Sequence, residues 1–315
     1  MKPLCSIAVL IVACFSTGAS AWDGQGHMMV AAIAYDKLEP GARAKVDKLI
    51  KLNPMYSKWA NGVASADKGK IAFMHAATWP DLIRAGTQYA DDGDDPSMSK
   101  DPTENVGYAP KGKYKHKYWH FVDVPFSTDG TPTEDPKKPN ALTQIDVFRG
   151  VLASKSASQQ LKSYDLVWLE HLVGDVHQPL HATSRFTQDL PHGDRGGNSV
   201  DIPSACASQS YHELHCFWDD VWGEDNNNPA AAIAAVKQLP EADSTKAADL
   251  TTQHWIDESF DLAQHVVYKS PPIGAAGKGP YTLTPEYEAN AKKVAGEQIA
   301  LAGARLANVL NGIFK

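Results

Sequence analysis

Residues 171–182, HLVGDVHQPLHA, constrain this chain more than any other stretch. They extend an apolar run with helical spacing that begins at Tyr164 (YDLVWLEHLVGDV), and Pro179 stops or kinks that helix. His171 and Asp175 stand four residues apart, so on a helix they share one face and can reach one ion or two adjacent ones. His181 lies beyond the break and can point back toward the same cavity. A second segment, LHCFWDD, repeats the spacing with His215 and Asp219. Two such pairs and a third histidine form a borderline-soft nitrogen and oxygen donor set, which suits Zn2+. Either pair alone also fits an exposed histidine with a helical carboxylate partner.

The rest of the chain predicts a mostly α fold in one domain. Amphipathic or apolar helical patterns cover residues 27–38, 42–52, 71–85, 141–157, 164–176 and 229–239, then about 248–268 and 285–314, with Pro80 near a bend or helix start. Strand signal is confined to 118–124 and 199–202. Residues 91–117, 125–140 and 186–212 are polar loops rich in Pro and Gly, and ordered loops of that length tend to be functional. No internal repeat or linker-like boundary interrupts the 315 residues. Net charge is −7, which excludes a basic surface that grips nucleic acid by charge alone. It does not exclude a polyanionic substrate, because bound cations add positive charge that residue counting misses.

Residues 1–21 form a separate unit. Lys2 precedes an apolar run of about a dozen residues, short of the roughly 20 that span a bilayer, and Ala19-Ser20-Ala21 is a small-x-small cleavage site. A cleaved signal peptide over 1–21 and a mature chain over 22–315, secreted or periplasmic, are therefore expected, with no membrane association. Cys206 and Cys216 would remain in the mature chain. In an oxidising compartment they read as one disulfide, two free thiols being the alternative. Cleavage would also free the α-amine of Trp22, which can chelate a metal together with its own carbonyl.

Six motifs in order carry a family resemblance: WDGQGH at the mature start, TWPDLIR, YWHFVDVP, HLVGDVHQPLH, DRGGN and LHCFWD. Together they resemble the zinc-dependent single-strand nucleases of the mung bean and plant bifunctional type, in the phospholipase C/nuclease superfamily. The similarity runs from Trp22 to about Trp222, and the remainder matches only as amphipathic helices. The resemblance implies a helical single-domain fold with long loops around a cleft holding three zinc ions per chain. Asp81, His120, His171 and Asp175 correspond to the ligands of one ion. Asp175 would bridge to a second, held also by His27 and by the Trp22 amine and carbonyl; His181, His215 and Asp219 would hold the third.

The implied reaction is hydrolysis of single-stranded DNA and RNA by metal-activated hydroxide, leaving 5'-phosphate products, with 3'-nucleotidase activity on nucleotides. Asp81 would also orient the attacking hydroxide, and Arg84 would neutralise transition-state charge. Phe121 offers a ring for base stacking and Asp123 an acceptor for a base edge, with Asn198 a further substrate contact. Stacking requires an unpaired base, hence the expected single-strand preference. A monomer is expected. The absence of N-x-S/T acceptors, where the eukaryotic members are usually glycosylated, favours a bacterial member. Two alternatives stand beside this reading. A zinc phospholipase C would carry Glu at position 219 and lack YWHFVDVP. A zinc-scavenging protein would use closed sites or His-rich tracts, and no such tract occurs.

Overall fold

The computed structural model describes residues 22–86, 89–90, 114–203, 212–223, 227–275 and 277–315. Two helices lie at its centre. Helix α1, Gly24–Asp36, is buried over all of Gly24–Tyr35, and it packs on α4 (Lys68–Ala76), α7 (Gln159–Asp175), α9 (Pro229–Val236) and α12 (Pro285–Ile313). Helix α7 is buried from Ser163 to Asp175. A helix with no polar face must be enclosed on all sides, and these two are.

The other helices form the enclosing layer. They are α2 (Pro40–Lys51), α3 (Tyr56–Trp59), α5 (Trp79–Ala85), α6 (Ala141–Ala153), α8 (Leu214–Asp220), α10 (Ser244–Ala248) and α11 (Thr252–Leu262), the last continuing as a π turn over Ala263–Val267. Their starts follow local rules. Ser158 caps α7 by accepting from the Leu161 N–H, and Asn140 and Thr143 form a reciprocal capping box on α6. Five Trp side chains (Trp22, Trp119, Trp168, Trp218 and Trp255) are fully buried and fill the space between layers. No helix among the described residues is long and apolar enough to cross a membrane.

The mostly α expectation holds, with four local corrections. Residues 71–85 are two helices, because the chain turns at Ala77–Thr78 and Pro80 opens α5. Residues 118–124 are not a strand: a 3-10 turn, Lys117–His120, is followed by extended chain into β1, Pro125–Ser127. Aromatic and β-branched side chains there serve burial rather than pairing. Residues 199–202 make a single bridge, Asp201 to Glu213, and no strand. The parallel partner of β1 is instead β2, Ser184–Phe186, directly after the 3-10 turn Pro179–Ala182. Last, residues 248–268 hold the end of α10 and then α11, separated by an extended break at Asp249–Thr251. The expected leader, most of the 91–117 loop and Cys206 lie outside the described residues.

Candidate metal centre

Eight side chains from six segments converge where α1 crosses the C-terminal end of α7. His27 comes from α1, Asp81 from α5, His120 from the end of the first 3-10 turn, His171 and Asp175 from α7, and His181 from the second 3-10 turn, with His215 and Asp219 from α8 beside them. Three groups within this set bring one donor atom per residue within 4.8 Å of one another: His27, His171 and Asp175; Asp81, His120 and His171; and His181, His215 and Asp219. Asp175 lies at the junction. Its Oδ1 is 3.2 Å from His27 Nε2, and its Oδ2 is 3.2 Å from His120 Nδ1 and 3.3 Å from His171 Nε2. All are buried except Asp81, whose side chain is 12% exposed.

Backbone carbonyls fix the imidazoles. His171 Nδ1 donates to the Ala77 carbonyl at 2.7 Å, His181 Nδ1 to that of His120 at 2.6 Å, and His215 Nδ1 to that of Gly196 at 2.6 Å. A carbonyl only accepts, so each Nδ1 carries the proton and each Nε2 of the neutral ring presents a lone pair. Yet His181 Nε2 and His215 Nε2 stand 3.1 Å apart, lone pair to lone pair. His27 Nε2, Asp81 Oδ1 and both oxygens of Asp175 are buried without a hydrogen bond. Buried acceptors facing one another are costly unless a cation lies between them. The donor set therefore fits metal.

The titration behaviour agrees. Burial lowers His27 and His181 to about 4, His120 to about 3, and His215 well below its ordinary range, which keeps their lone pairs available at neutral pH. His171 behaves oppositely. Burial would lower it, but the Asp175 and Asp81 carboxylates prevail and raise it to about 9. Burial raises Asp81 to about 7.

Glycines make the approach possible. The His27 ring lies against Gly174, where a Cβ would meet its Nδ1 at 2.8 Å. Arg195, Gly196 and Gly197 take successive positive φ values of 58°, 61° and 81°, and this left-handed turn aims the Gly196 carbonyl at His215. At Gly196 any side chain would also strike the Leu180 carbonyl. Buried Asp194 anchors the turn by accepting from the Arg185 N–H at 2.9 Å and the Tyr268 hydroxyl at 2.6 Å. The DRGGN motif is thus a support for His215.

The family model of the S1/P1 nucleases matches residues 22–315. The chain belongs to the S1/P1 nuclease family. It is 26% identical to Endonuclease 5 of Arabidopsis thaliana, covering 98% of this chain and 95% of that protein. Endonuclease 3 of the same plant is 24% identical over 98% and 94%. Nuclease P1 of Penicillium citrinum is 23% identical over 93% and 97%. The chain is accordingly a nuclease with nucleic acid as its substrate, and its clusters of His and Asp are suited to metal.

The other residues singled out in the sequence take defined places. Trp22 is fully buried, and its Nε1 donates to the Gly174 carbonyl at 3.0 Å, which seats residue 22 beside His27 and Asp175. Arg84 Nη1 is buried without a hydrogen bond, and the Arg84 charge acts on Asp81, His120, His181 and His215 together. Phe121 is half-buried and tilted against Tyr118 at 6.0 Å between ring centroids. Burial, then repulsion from Asp194, raises half-buried Asp123 to about 7. Asn198 is part-exposed and donates from Nδ2 to the Arg195 carbonyl at 2.7 Å. Cys216 lies on α8 next to His215. His177 is no ligand, since its Nε2 meets Arg305 Nη1 at 2.9 Å, and Arg305 is held in turn by Glu258. Gln178, Gly174 and Gly196 were not apparent as site residues, because an amide and two glycines carry no ligand signature.

Proposed function

We propose that the chain is a zinc-dependent endonuclease of single-stranded DNA and RNA, holding three zinc ions and leaving 5'-phosphate ends, with 3'-nucleotidase activity. The observation that carries this reading is the junction at Asp175, whose two oxygens face His27 on one side and His120 and His171 on the other. Asp81, His120, His171 and Asp175 would hold one ion. Asp175, His27 and the Trp22 amine and carbonyl would hold the second, and His181, His215 and Asp219 the third. Zinc so bound would supply Lewis acidity at the phosphoryl oxygens and a lowered pKa for an attacking water.

The chain's own residues would do the remainder. Asp81, the most exposed side chain of the cluster, would also orient the attacking hydroxide. Arg84 would offer its unpaired Nη1 to a non-bridging phosphate oxygen, neutralising charge that grows in the transition state. Phe121 would stack a base and Asp123 would bond its edge, and both require the base to be out of a duplex. The protein would be exported by a leader over residues 1–21, be closed by a Cys206–Cys216 disulfide, and act as a monomer. The family match beginning at Trp22 supports the leader assignment.

Equal masses of single-stranded DNA, duplex DNA and phosphatidylcholine vesicles, offered to the purified mature protein, test this reading. Rapid cleavage of the single strand, little of the duplex and none of the lipid is expected. Release of phosphocholine would transfer the chain to the phospholipase reading.

A further inference from the structure

Gln178 is fully buried between the end of α7 and the 3-10 turn that carries His181. Its Oε1 accepts the Leu180 backbone N–H at 2.5 Å. A backbone N–H only donates, so the amide has one orientation, and its NH2 end must point the other way. That Nε2 donates to Asp219 Oδ1 at 2.7 Å. The other carboxylate oxygen, Oδ2, faces His215 Nε2 at 3.5 Å. One amide therefore reads the backbone of the turn bearing His181 and sets the carboxylate beside His215. It spans 41 residues of chain to do so.

We infer that Gln178 is a positioning residue for the metal site of His181, His215 and Asp219, binding Oδ1 so that Oδ2 alone is presented to the ion. The inference rests on the metal-dependent reading above. A buried carboxylate ligand without such a bond can rotate about its terminal torsion and present either oxygen or both. The Leu180 contact makes the arrangement rigid, because the amide cannot turn to follow Asp219 without leaving an N–H unsatisfied.

Two variants separate the roles. Gln178→Glu keeps an oxygen for the Leu180 N–H and loses the donor to Asp219. Gln178→Met loses both contacts without adding charge, and serves if the second carboxylate prevents folding. Zinc content, competition against a chromophoric chelator, and the absorption of the cobalt-substituted protein are measured for each, alongside thermal melting. Wild type should carry three ions, and each variant should lose about 10–100-fold in affinity at one site, with the other two unchanged. The cobalt absorption should lose the contribution of one ion only. Wild-type affinity at all three sites in either folded variant would overturn the role of Gln178 while leaving the metal-dependent reading intact. A parallel fall at all three sites with a lower melting temperature would assign Gln178 a merely structural part and also overturn it. A wild-type protein that binds no ion through His181, His215 and Asp219 would instead count against the proposed function itself.

Discussion

Gly174→Ala opposes two physical effects at one atom. Gly174 precedes Asp175 on α7, and the space its side chain would take is filled by His27. A Cβ there would meet Nδ1 at 2.8 Å and Cε1 at 3.1 Å. To restore a contact of about 3.5 Å the ring must retreat by roughly 0.7 Å. His27 is fully buried, and its other face stacks on His171 with centroids 3.9 Å apart and planes 18° apart. The ring thus has no free side. Helix propensity favours Ala over Gly by about 1 kcal/mol, whereas overpacking a core costs about 1–3 kcal/mol. Net destabilisation should lie between about 0 and 2 kcal/mol. The ion held with His27 reads the displacement more sharply, because His27 Nε2 loses its place 3.2 Å from Asp175 Oδ1. The purified variant should carry one zinc ion fewer and cleave single-stranded DNA about 100-fold more slowly. Elemental analysis, thermal melting and initial rates check this. A variant with a raised melting temperature, full metal content and wild-type rate would refute the reasoning.

Asp175→Ala should lose two ions, because its oxygens face two ligand groups; elemental analysis showing the loss of one would break the bridge. One Gly added ahead of Trp22 turns a free amine into an amide, a poor ligand. That protein should lose the ion held with His27 while its circular dichroism stays as wild type, and unchanged zinc and turnover would make Trp22 a packing residue only. For pH, burial holds His27 and His181 at about 4 and His120 at about 3, all lowered from 6.5. A lowered value keeps each imidazole neutral until the solution is well below its ordinary range, so zinc release and loss of activity should begin below about pH 5. Zinc half-released at pH 6.5, or a rate flat to about pH 3 with no zinc lost, would each contradict this.

The histidines and aspartates that converge in the fold were legible as candidates because their chemistry leaves a mark at short range. His171 and Asp175 share a helical face, as do His215 and Asp219, and few other residue types would do. Helices with apolar spacing, such as α2 and α12, were legible for the same reason: the period lies within one element. What escaped depends on contacts between distant segments. The break at Ala77–Thr78 leaves the Ala77 carbonyl free of the helix, and it meets His171 across 94 residues of chain. Residues 118–124 had strand composition, but Val122 donates to the His181 carbonyl at 2.7 Å, so the chain is extended to meet the second 3-10 turn and pairs only at Pro125–Ser127. Gln178 and Gly196 act through a neighbour's lone pair and a neighbour's van der Waals surface, and neither property is visible one residue at a time.

Buried histidine and aspartate lone pairs face one another in this fold because metal belongs between them. Metal analysis of the purified protein beginning at Trp22, dialysed mildly and assayed on single-stranded DNA before and after chelation, tests this most directly. Three zinc ions per chain, activity abolished by the chelator and restored by zinc, is the predicted result. One ion or none in a protein that cleaves at full rate would contradict it.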